Sequence, residues 1–428
     1  MHGSLRLVCA LVLAAMACVP ASAGLFEYVA QPDPAYQWSR REQETMGTTT
    51  VITLSLTSQV WHGRAWTHVI QVFIPAEIGN PDAAALYITG GAPNEADTAI
   101  GLKVASLSRQ PFAILFNIPD QPDSGPLSIK DGNIGYTFQQ YLETGDETWP
   151  LLVPMTKAAV KAMDALQEFA KRDFNTDVET FIVAGGSKRG WTAWLTAAVD
   201  PKRVKGVAPM VIDTLDFPAQ FAHKVEVWGA ARAQLVNDVE PGLEQALGQR
   251  DAPLVKMLDP YSYRDRLTMP KLIINATNDP FWALDSLNLY WDGLTGPKWV
   301  LYSPNSGHGL NDRTRALNTL GAFIHATATG GSLPAMSWKH GDADGRLTLT
   351  LDATPRPIAS RLWVAHSEDL DFRDERWEAA PMSAEGNAFV GSIAAPTEDN
   401  VAFFGEAEFD VGGRTFTLST QVRVAPKP

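Results

Sequence analysis

The sequence predicts an α/β protein in which a mostly parallel, doubly wound sheet is followed by a small all-β region. Short apolar, β-prone runs such as 181–184 and 271–276 alternate with stretches at helical spacing such as 155–170. Beyond Gly330-Gly331-Ser332 the helical spacing stops and short alternating runs follow one another. The 428 residues are enough for one large domain and one smaller domain.

The first 23 residues are predicted to be a signal peptide and not part of the fold. Arg6 precedes the apolar run 7–17, and Ala21-Ser22-Ala23 fits the small-residue site at which signal peptidases cut. Both cysteines of the chain lie in this segment, so the mature protein is expected to have neither a disulfide nor thiol chemistry. We therefore expect export to the periplasm or the medium after cleavage near Ala23.

The mature chain is predicted to divide at residue 330. Residues 24–330 form the α/β domain, which includes a strand at 204–212 and closes with a helix at 314–329. Within it, segment 216–265 looks helical and lacks a strong strand, so we interpret it as a cap over the site. Residues 331–428 are predicted to form a small β-sandwich.

Ser187 has the surroundings of a nucleophile. It follows the apolar run 181–184 and precedes the helix-forming run 191–198, which places it on a strand–turn–helix junction. The usual pattern of such a turn is G-x-S-x-G. Gly185 occupies the first glycine position, whereas the last glycine is displaced by one residue to Gly190. A plain glycine-rich turn with no catalytic role is the alternative interpretation.

An acid and a histidine follow two later predicted strands. Asp279 comes after the strand 271–276 and His308 after the next one, which gives the chain order serine, acid, histidine of α/β-hydrolases. Histidine can take the proton of a serine hydroxyl, and a buried carboxylate orients the imidazole. Asp285 and Asp213 remain open as alternatives to Asp279, because Asp285 is close to it in the chain and Asp213 ends the preceding strand.

The oxyanion hole is predicted from two main-chain segments. The apolar run 84–89 leads into Gly90-Gly91-Ala92, upstream of the nucleophile. An amide of Gly91 or Ala92 and the amide of Lys188 are the candidate donors to a developing oxyanion.

Three further side chains are predicted to bind substrate: Arg189, Trp191 and Trp282. Arg189, like Lys188, is a cation next to the serine and is suited to a carboxylate-bearing substrate. The alternative is that both cations are solvated or paired with neighbouring acids.

Composition excludes several classes of partner. The net charge of −13 argues against nucleic acid and anionic membranes. No stretch after the predicted signal peptide is apolar enough to span a membrane. We expect no metal, since His62 and His68 lack carboxylate or thiol neighbours at ligand spacing, and no other cofactor. Oligomeric state is left open.

Five stretches, in this order, resemble the PhoPQ-activated pathogenicity-related protein family: 144–149 (TGDETW), 186–191 (GSKRGW), 259–264 (DPYSYR), 270–276 (PKLIINA) and Gly307-His308. The resemblance extends from about Leu25 to Asp371-Phe372-Arg373. It implies an exported, α/β-hydrolase-like protein with a C-terminal β region, linked to virulence and to resistance to antimicrobial peptides. The basic residues after Ser187 are also similar to the elbow of glucuronoyl esterases.

Two functions therefore compete. The first is a serine hydrolase, an esterase or a peptidase, in which Ser187, His308 and Asp279 act on a small ester or a peptide. The second is a non-catalytic protein that binds peptides or proteins on a hydrolase scaffold. A glycan-binding role through Trp363 or Trp377 is a third interpretation.

Overall fold

A computed structural model describes residues 24–119, 134–229 and 247–428. The predicted signal peptide at 1–23 and the middle of the predicted cap, 230–246, lie outside the described residues. Cleavage near Ala23 and export therefore stay predictions, as does the cap.

The helices, numbered in chain order, are α1 Leu25–Ala30, α2 Glu95–Ser108, α3 Ile134–Thr144, α4 Leu152–Phe174, α5 Lys188–Val199, α6 Phe217–Trp228, α7 Pro253–Leu258 and α8 Arg313–Ala328. Short 3₁₀ turns cover Pro260–Arg266, Ser286–Leu289 and Trp291–Gly293. The strands of the first part of the chain are β1 Gln37–Met46, β2 Thr49–Trp61, β3 Arg64–Ile74, β4 Ala83–Ile88, β5 Phe112–Leu115, β6 Thr180–Gly186, β7 Val204–Met210, β8 Lys271–Ala276 and β9 Lys298–Ser303.

The strands form a mixed sheet whose central part is parallel. Its order begins β1-β2-β3-β5-β4-β6-β7-β8-β9. Strands β1, β2, β3 and β5 pair antiparallel in sequence, whereas β5, β4, β6, β7, β8 and β9 are all parallel. This arrangement confirms the predicted α/β class.

Helices cover both faces of the parallel strands, so the sheet is doubly wound. Successive residues of β6 contribute to different cores: Val183 packs with α4 and α5, whereas Ile182 packs with α2 and α8. A strand whose side chains alternate between two covered faces has few polar positions, which explains why β6 is apolar from Phe181 to Ala184. The long apolar face of α4, including Met163, buries the side that carries Val183.

Strand β1 has no counterpart among the predicted elements. Its ten residues, QWSRREQETM, are exposed or half-buried, and it is the edge strand beside β2. Charged side chains on an edge strand discourage pairing with other chains, but they also remove the apolar alternation by which a strand is recognised in a sequence.

The chain beyond 330 is all-β, and one layer of it continues the central sheet. Its strands are β10 Ala335–Ala343, β11 Arg346–Thr354, β12 Ala359–Ser367, β13 Glu378–Pro381, β14 Ser383–Glu385, β15 Ala388–Ala394, β16 Asn400–Val411, β17 Arg414–Ser419 and β18 Arg423–Ala425. Strands β10, β11, β15 and β14 form a separate sheet, whereas β17 pairs with β9 and carries β16, β12 and β13 onto the large sheet. The predicted boundary at 330 stays a prediction.

Candidate active site

Ser187 lies at the junction between β6 and α5. Its backbone has φ 55° and ψ −130°, a conformation that a residue with a side chain adopts at a cost of about 1–3 kcal/mol. The helix begins at once, since the amide of Trp191 donates to the carbonyl of Ser187 at 3.0 Å. A serine on a sharp, strained strand-to-helix turn has its hydroxyl lifted away from the main chain.

Two glycines let the strand and the helix approach at this turn. A Cβ atom on Gly185 would lie 2.6 Å from the carbonyl oxygen of Arg189. A Cβ on Gly190 would lie 2.6 Å from Cγ2 of Ile212 and 2.8 Å from the oxygen of Gly185. The displaced glycine of the G-x-S-x-G pattern therefore still fulfils the steric requirement of the turn.

The structure brings Asp279 and His308 together. His308 Nδ1 donates to Asp279 Oδ2 at 2.8 Å, and the carboxylate is 4% exposed. The amide of Phe281 donates to the other carboxylate oxygen at 3.0 Å, and the Phe281 ring meets the imidazole edge to face at 4.6 Å. With Nδ1–H held by a carboxylate, Nε2 is the ring nitrogen that can take up a proton.

The two alternative acids have other partners. Asp285 accepts a hydrogen bond of 2.6 Å from His223 Nε2 on α6. Asp213 accepts hydrogen bonds from Asn275 Nδ2 at 2.8 Å and from Tyr290 Oη at 2.5 Å. Among the three aspartates, Asp279 is the one whose hydrogen bond with His308 the structure shows.

Ser187, Asp279 and His308 follow the carboxyl ends of parallel strands in one sheet. Residues at or within two positions of the strand ends are aligned in register: Gly186 opposite Met210, Met210 opposite Ile274, and Ile274 opposite Leu301. The carboxyl ends therefore form one edge, which is where open α/β sheets place their sites.

The candidate oxyanion donors lie on the same edge. Ile88, at the end of β4, pairs with Gly185, so the loop that follows β4 lies beside the elbow. In that loop Gly91 and Ala92 are exposed, and Gly91 has φ 63°, a conformation that favours glycine. Lys188 is the first residue of α5, where main-chain amides point out of the helix end.

The three candidate substrate-binding side chains differ in exposure. Arg189 is half-buried, and its Nε donates to the carbonyl of Ile118 at 2.6 Å. Trp191, on α5, points into the core and is 6% exposed. Its indole N–H donates to the carbonyl of Leu258 at 2.7 Å. Trp282 is half-buried at the sheet edge. Its indole N–H donates to the carbonyl of Val211, directly after β7, at 3.0 Å. The structure thus places Trp191 in the core, where it supports the elbow helix.

A buried lysine beside the acids was absent from the predicted site. Lys224, on α6, is fully buried, and its Nζ has no hydrogen-bond partner among the described residues. The ammonium lies 4.4 Å from the ring centre of Trp282. Burial lowers the pKa of Lys224 to about 7, and the nearby Asp279 opposes that shift. A lysine on an ordinary amphipathic helix gives no signal in the sequence that its charge is buried.

Asp213 shares this environment and is perturbed in the opposite sense. Burial raises the pKa of Asp213 to about 7, and the negative charges of Asp279 and Asp285 add to the rise, while the hydrogen bond from Tyr290 opposes it. Opposed shifts of neighbouring buried groups are a common property of functional sites.

Within residues 24–119, 134–229 and 247–428, no group of three His, Cys, Asp or Glu side chains is arranged to hold a metal ion. In the same ranges no helix has the length and apolarity required to cross a membrane.

The tryptophans of the C-terminal region are engaged in packing. Trp377 is 2% exposed and its ring lies against Phe404 at 5.2 Å. The indole N–H of Trp363 donates to Glu406 at 3.1 Å. The interpretation of Trp377 as a glycan-binding side chain is therefore wrong, because a sugar needs an exposed ring face.

Comparisons with known proteins agree with the resemblance seen in the sequence. The model of the family described as "PhoPQ-activated pathogenicity-related protein" matches residues 25–373. The chain is 30% identical over 429 residues to Autocrine proliferation repressor protein A of Dictyostelium discoideum, covering 94% of this chain and 86% of that protein.

Among solved structures, the acetyl xylan esterase of Paenibacillus sp. R4 matches with 17% identity and a TM-score of 0.45, over 71% of this chain and 92% of that one. Acetyl xylan esterase 1 of Thermoanaerobacterium sp. JW/SL YS485 matches with 13% identity and a TM-score of 0.45, over 70% and 90%.

Proposed function

The chain belongs to the PhoPQ-activated pathogenicity-related protein family, and we propose that it is an exported serine hydrolase acting on an ester or amide carbonyl. The observation that carries this proposal is the 2.8 Å hydrogen bond between His308 and a buried Asp279, on the same sheet edge as the strained Ser187.

In the proposed reaction Ser187 Oγ attacks the carbonyl carbon while His308 Nε2 takes the hydroxyl proton. Asp279 holds the imidazole in the tautomer with Nδ1–H and stabilises the imidazolium that forms. The amide of Lys188 and an amide of Gly91 or Ala92 donate to the tetrahedral oxyanion. His308 returns the proton to the leaving alcohol or amine, and water then hydrolyses the acyl-enzyme by the same steps.

The substrate class remains a choice between a small ester and a peptide. The net charge of −13 favours the approach of cationic peptides, in line with the link of the family to antimicrobial peptide resistance. Lys188 and Arg189 beside the serine favour instead a substrate with a carboxylate. Export depends on the predicted signal peptide at 1–23, and the role in virulence on the family.

A non-catalytic binding protein is the second candidate, and one observation favours it. The Dictyostelium relative is named for autocrine repression of proliferation, and that name does not describe a hydrolase. On this interpretation the protein recognises a peptide or a protein partner, and Ser187 and His308 are retained without turnover.

The deciding experiment is labelling of the purified mature protein with a fluorophosphonate probe. We expect the wild type to be labelled, whereas Ser187→Ala loses labelling completely and His308→Ala slows it by about 10³-fold or more, because an unactivated serine reacts poorly with the probe. Ser337→Ala, which removes an exposed hydroxyl on β10, is the matched control and should label as the wild type does.

If only the wild type and Ser337→Ala are labelled, the next step is a screen of esters and cationic peptides. If the folded wild type does not react, the hydrolase proposal fails and the binding protein becomes the leading candidate.

A further inference from the structure

The loops that carry Asp279 and His308 are tied to each other by hydrogen bonds. The amide of Asn278, the residue before Asp279, donates to the carbonyl of Ser306 at 3.0 Å. The hydroxyl of Thr277 accepts from the amide of Asn305 at 2.9 Å and donates to Asn278 Oδ1 at 2.7 Å. The acid and the histidine therefore lie on two loops that are fixed as one unit.

Both loops also bind one segment of the C-terminal β region, residues 372–377. This segment lies in the connection between β12 and β13. Asn278 Nδ2 donates to the carbonyls of Glu375 at 2.7 Å and Arg373 at 3.0 Å. Asn305 makes a reciprocal pair with Trp377, accepting from its amide at 2.8 Å and donating to its carbonyl at 3.0 Å.

The same segment reaches helix α6 and is itself anchored. The guanidinium of Arg373 lies 4.1 Å from the ring centre of Trp228 and donates to the carbonyl of Pro280 at 3.3 Å. The buried Phe372 and Trp377, at the two ends of the segment, fix it in the protein core. A rigid support of this kind can hold a catalytic pair to within a fraction of an ångström.

We infer that residues 372–377 are a positioning element of the active site, acting through Asn278 and Asn305 on the loops of Asp279 and His308. The catalytic consequence rests on the proposed function. The C-terminal β region is then a part of the site that the α/β domain requires, because misplacing reacting groups by about 1 Å costs on the order of 100-fold in rate.

The test compares two asparagines that bind the C-terminal region. Asn278→Ala removes the hydrogen bonds to the carbonyls of Arg373 and Glu375, and it also removes the acceptor of the Thr277 hydroxyl. Asn305→Ala is therefore measured beside it, because it removes the pair with Trp377 and leaves that acceptor in place. The matched control is Asn288→Ala, which removes bonds to Val422 and Gln421 on a different part of the same interface. Below the unfolding transition of all variants, we expect Asn278→Ala to slow fluorophosphonate labelling by about 10- to 100-fold and Asn288→Ala by less than about twofold.

A second readout does not depend on catalysis. The Nδ1 proton of His308, assigned by its loss in His308→Gln, should give a low-field proton resonance because it is bound to Asp279. We expect Asn278→Ala to broaden or shift this resonance and Asn288→Ala to leave it unchanged. Asn305→Ala, which removes the pair with Trp377, should behave like Asn278→Ala. It takes the place of Asn278→Ala in the test if that variant does not fold.

Equal effects of the two asparagine variants on labelling and on the resonance would overturn the inference, since they would reflect general loosening of the interface. If the wild type is not labelled at all, the proposed function fails, and the resonance alone decides whether 372–377 positions the pair.

Discussion

Two regions of the molecule bury ionisable groups, and they treat them differently. In the C-terminal region Glu406, with no exposed surface, accepts hydrogen bonds from Arg361 at 3.0 Å and from Trp363 at 3.1 Å, and it also pairs with Arg315 of α8. At the sheet edge Asp213 faces two other aspartates, and the buried ammonium of Lys224 has no hydrogen-bond partner among the described residues.

This difference distinguishes a structural cluster, around Glu406, from a candidate functional one, around Asp213 and Lys224. A buried charge surrounded by opposite charges and donors contributes to a unique packing and needs no further explanation. Burial opposes the ordinary ionisation of both Lys224 and Asp213, and groups perturbed in this way are concentrated at functional sites. The strained backbone of Ser187 lies in the second region, not in the first.

The largest expected effect distinguishes Asp279 from Asp285 as the acid that acts on His308. We expect Asp279→Asn to reduce the labelling rate by about 10⁴-fold, because an amide in place of the carboxylate favours the wrong tautomer of His308. Asp285→Asn, the matched control, should change the rate by less than about tenfold, since Asp285 pairs with His223. A larger loss in Asp285→Asn than in Asp279→Asn would show that the triad acid has been misassigned.

The effect of intermediate size is a loss of stability that should come from Glu406 and its partners alone. Glu406→Gln is expected to lower the free energy of unfolding by about 3 kcal/mol, because it leaves two arginines without their buried counter-charge. Glu408→Gln removes only the partly exposed pair with Arg361 and should cost less than about 1 kcal/mol. Urea unfolding measures both, and labelling of folded Glu406→Gln should equal that of the wild type; a loss of labelling would contradict the division between the two regions.

The smallest effect is a pH dependence of stability at the sheet edge. The pKa of Asp213 is raised by burial from its ordinary value near 3.8 to about 7, so the folded state binds the proton more tightly than the unfolded state. The stability that this carboxyl contributes is present below pH 3.8 and is lost as the pH rises to about 7. We therefore expect Asp213→Asn to gain about 2 kcal/mol relative to the wild type between pH 4 and pH 6.

Chemical denaturation at both pH values measures this difference. Asp82→Asn, at an exposed position before β4, is the control for the removal of a carboxylate from the surface. A stability difference between Asp213→Asn and the wild type that stays constant from pH 4 to pH 6 would rule out the raised pKa.

Elements with a regular apolar pattern were the ones that could be predicted from sequence. The predicted strands at 181–184 and 271–276 correspond to β6 and β8, because strands covered on both faces are mostly apolar. Strand β1 could not be predicted, because its exposed polar side chains leave no periodic pattern. Lys224 and Asn278 could not be recognised either, since neither residue type signals what will pack against it.

The sequence by itself determined the α/β alternation, the glycines of the turn around Ser187 and the positions of an acid and a histidine after strands, because these depend on residues that are close along the chain. Tertiary structure decided that Asp279 binds His308 while Asp285 binds His223, and that residues 372–377 support both site loops. The partners in those contacts are separated by 29 to 97 positions in the chain, so only packing of the whole sheet brings them together.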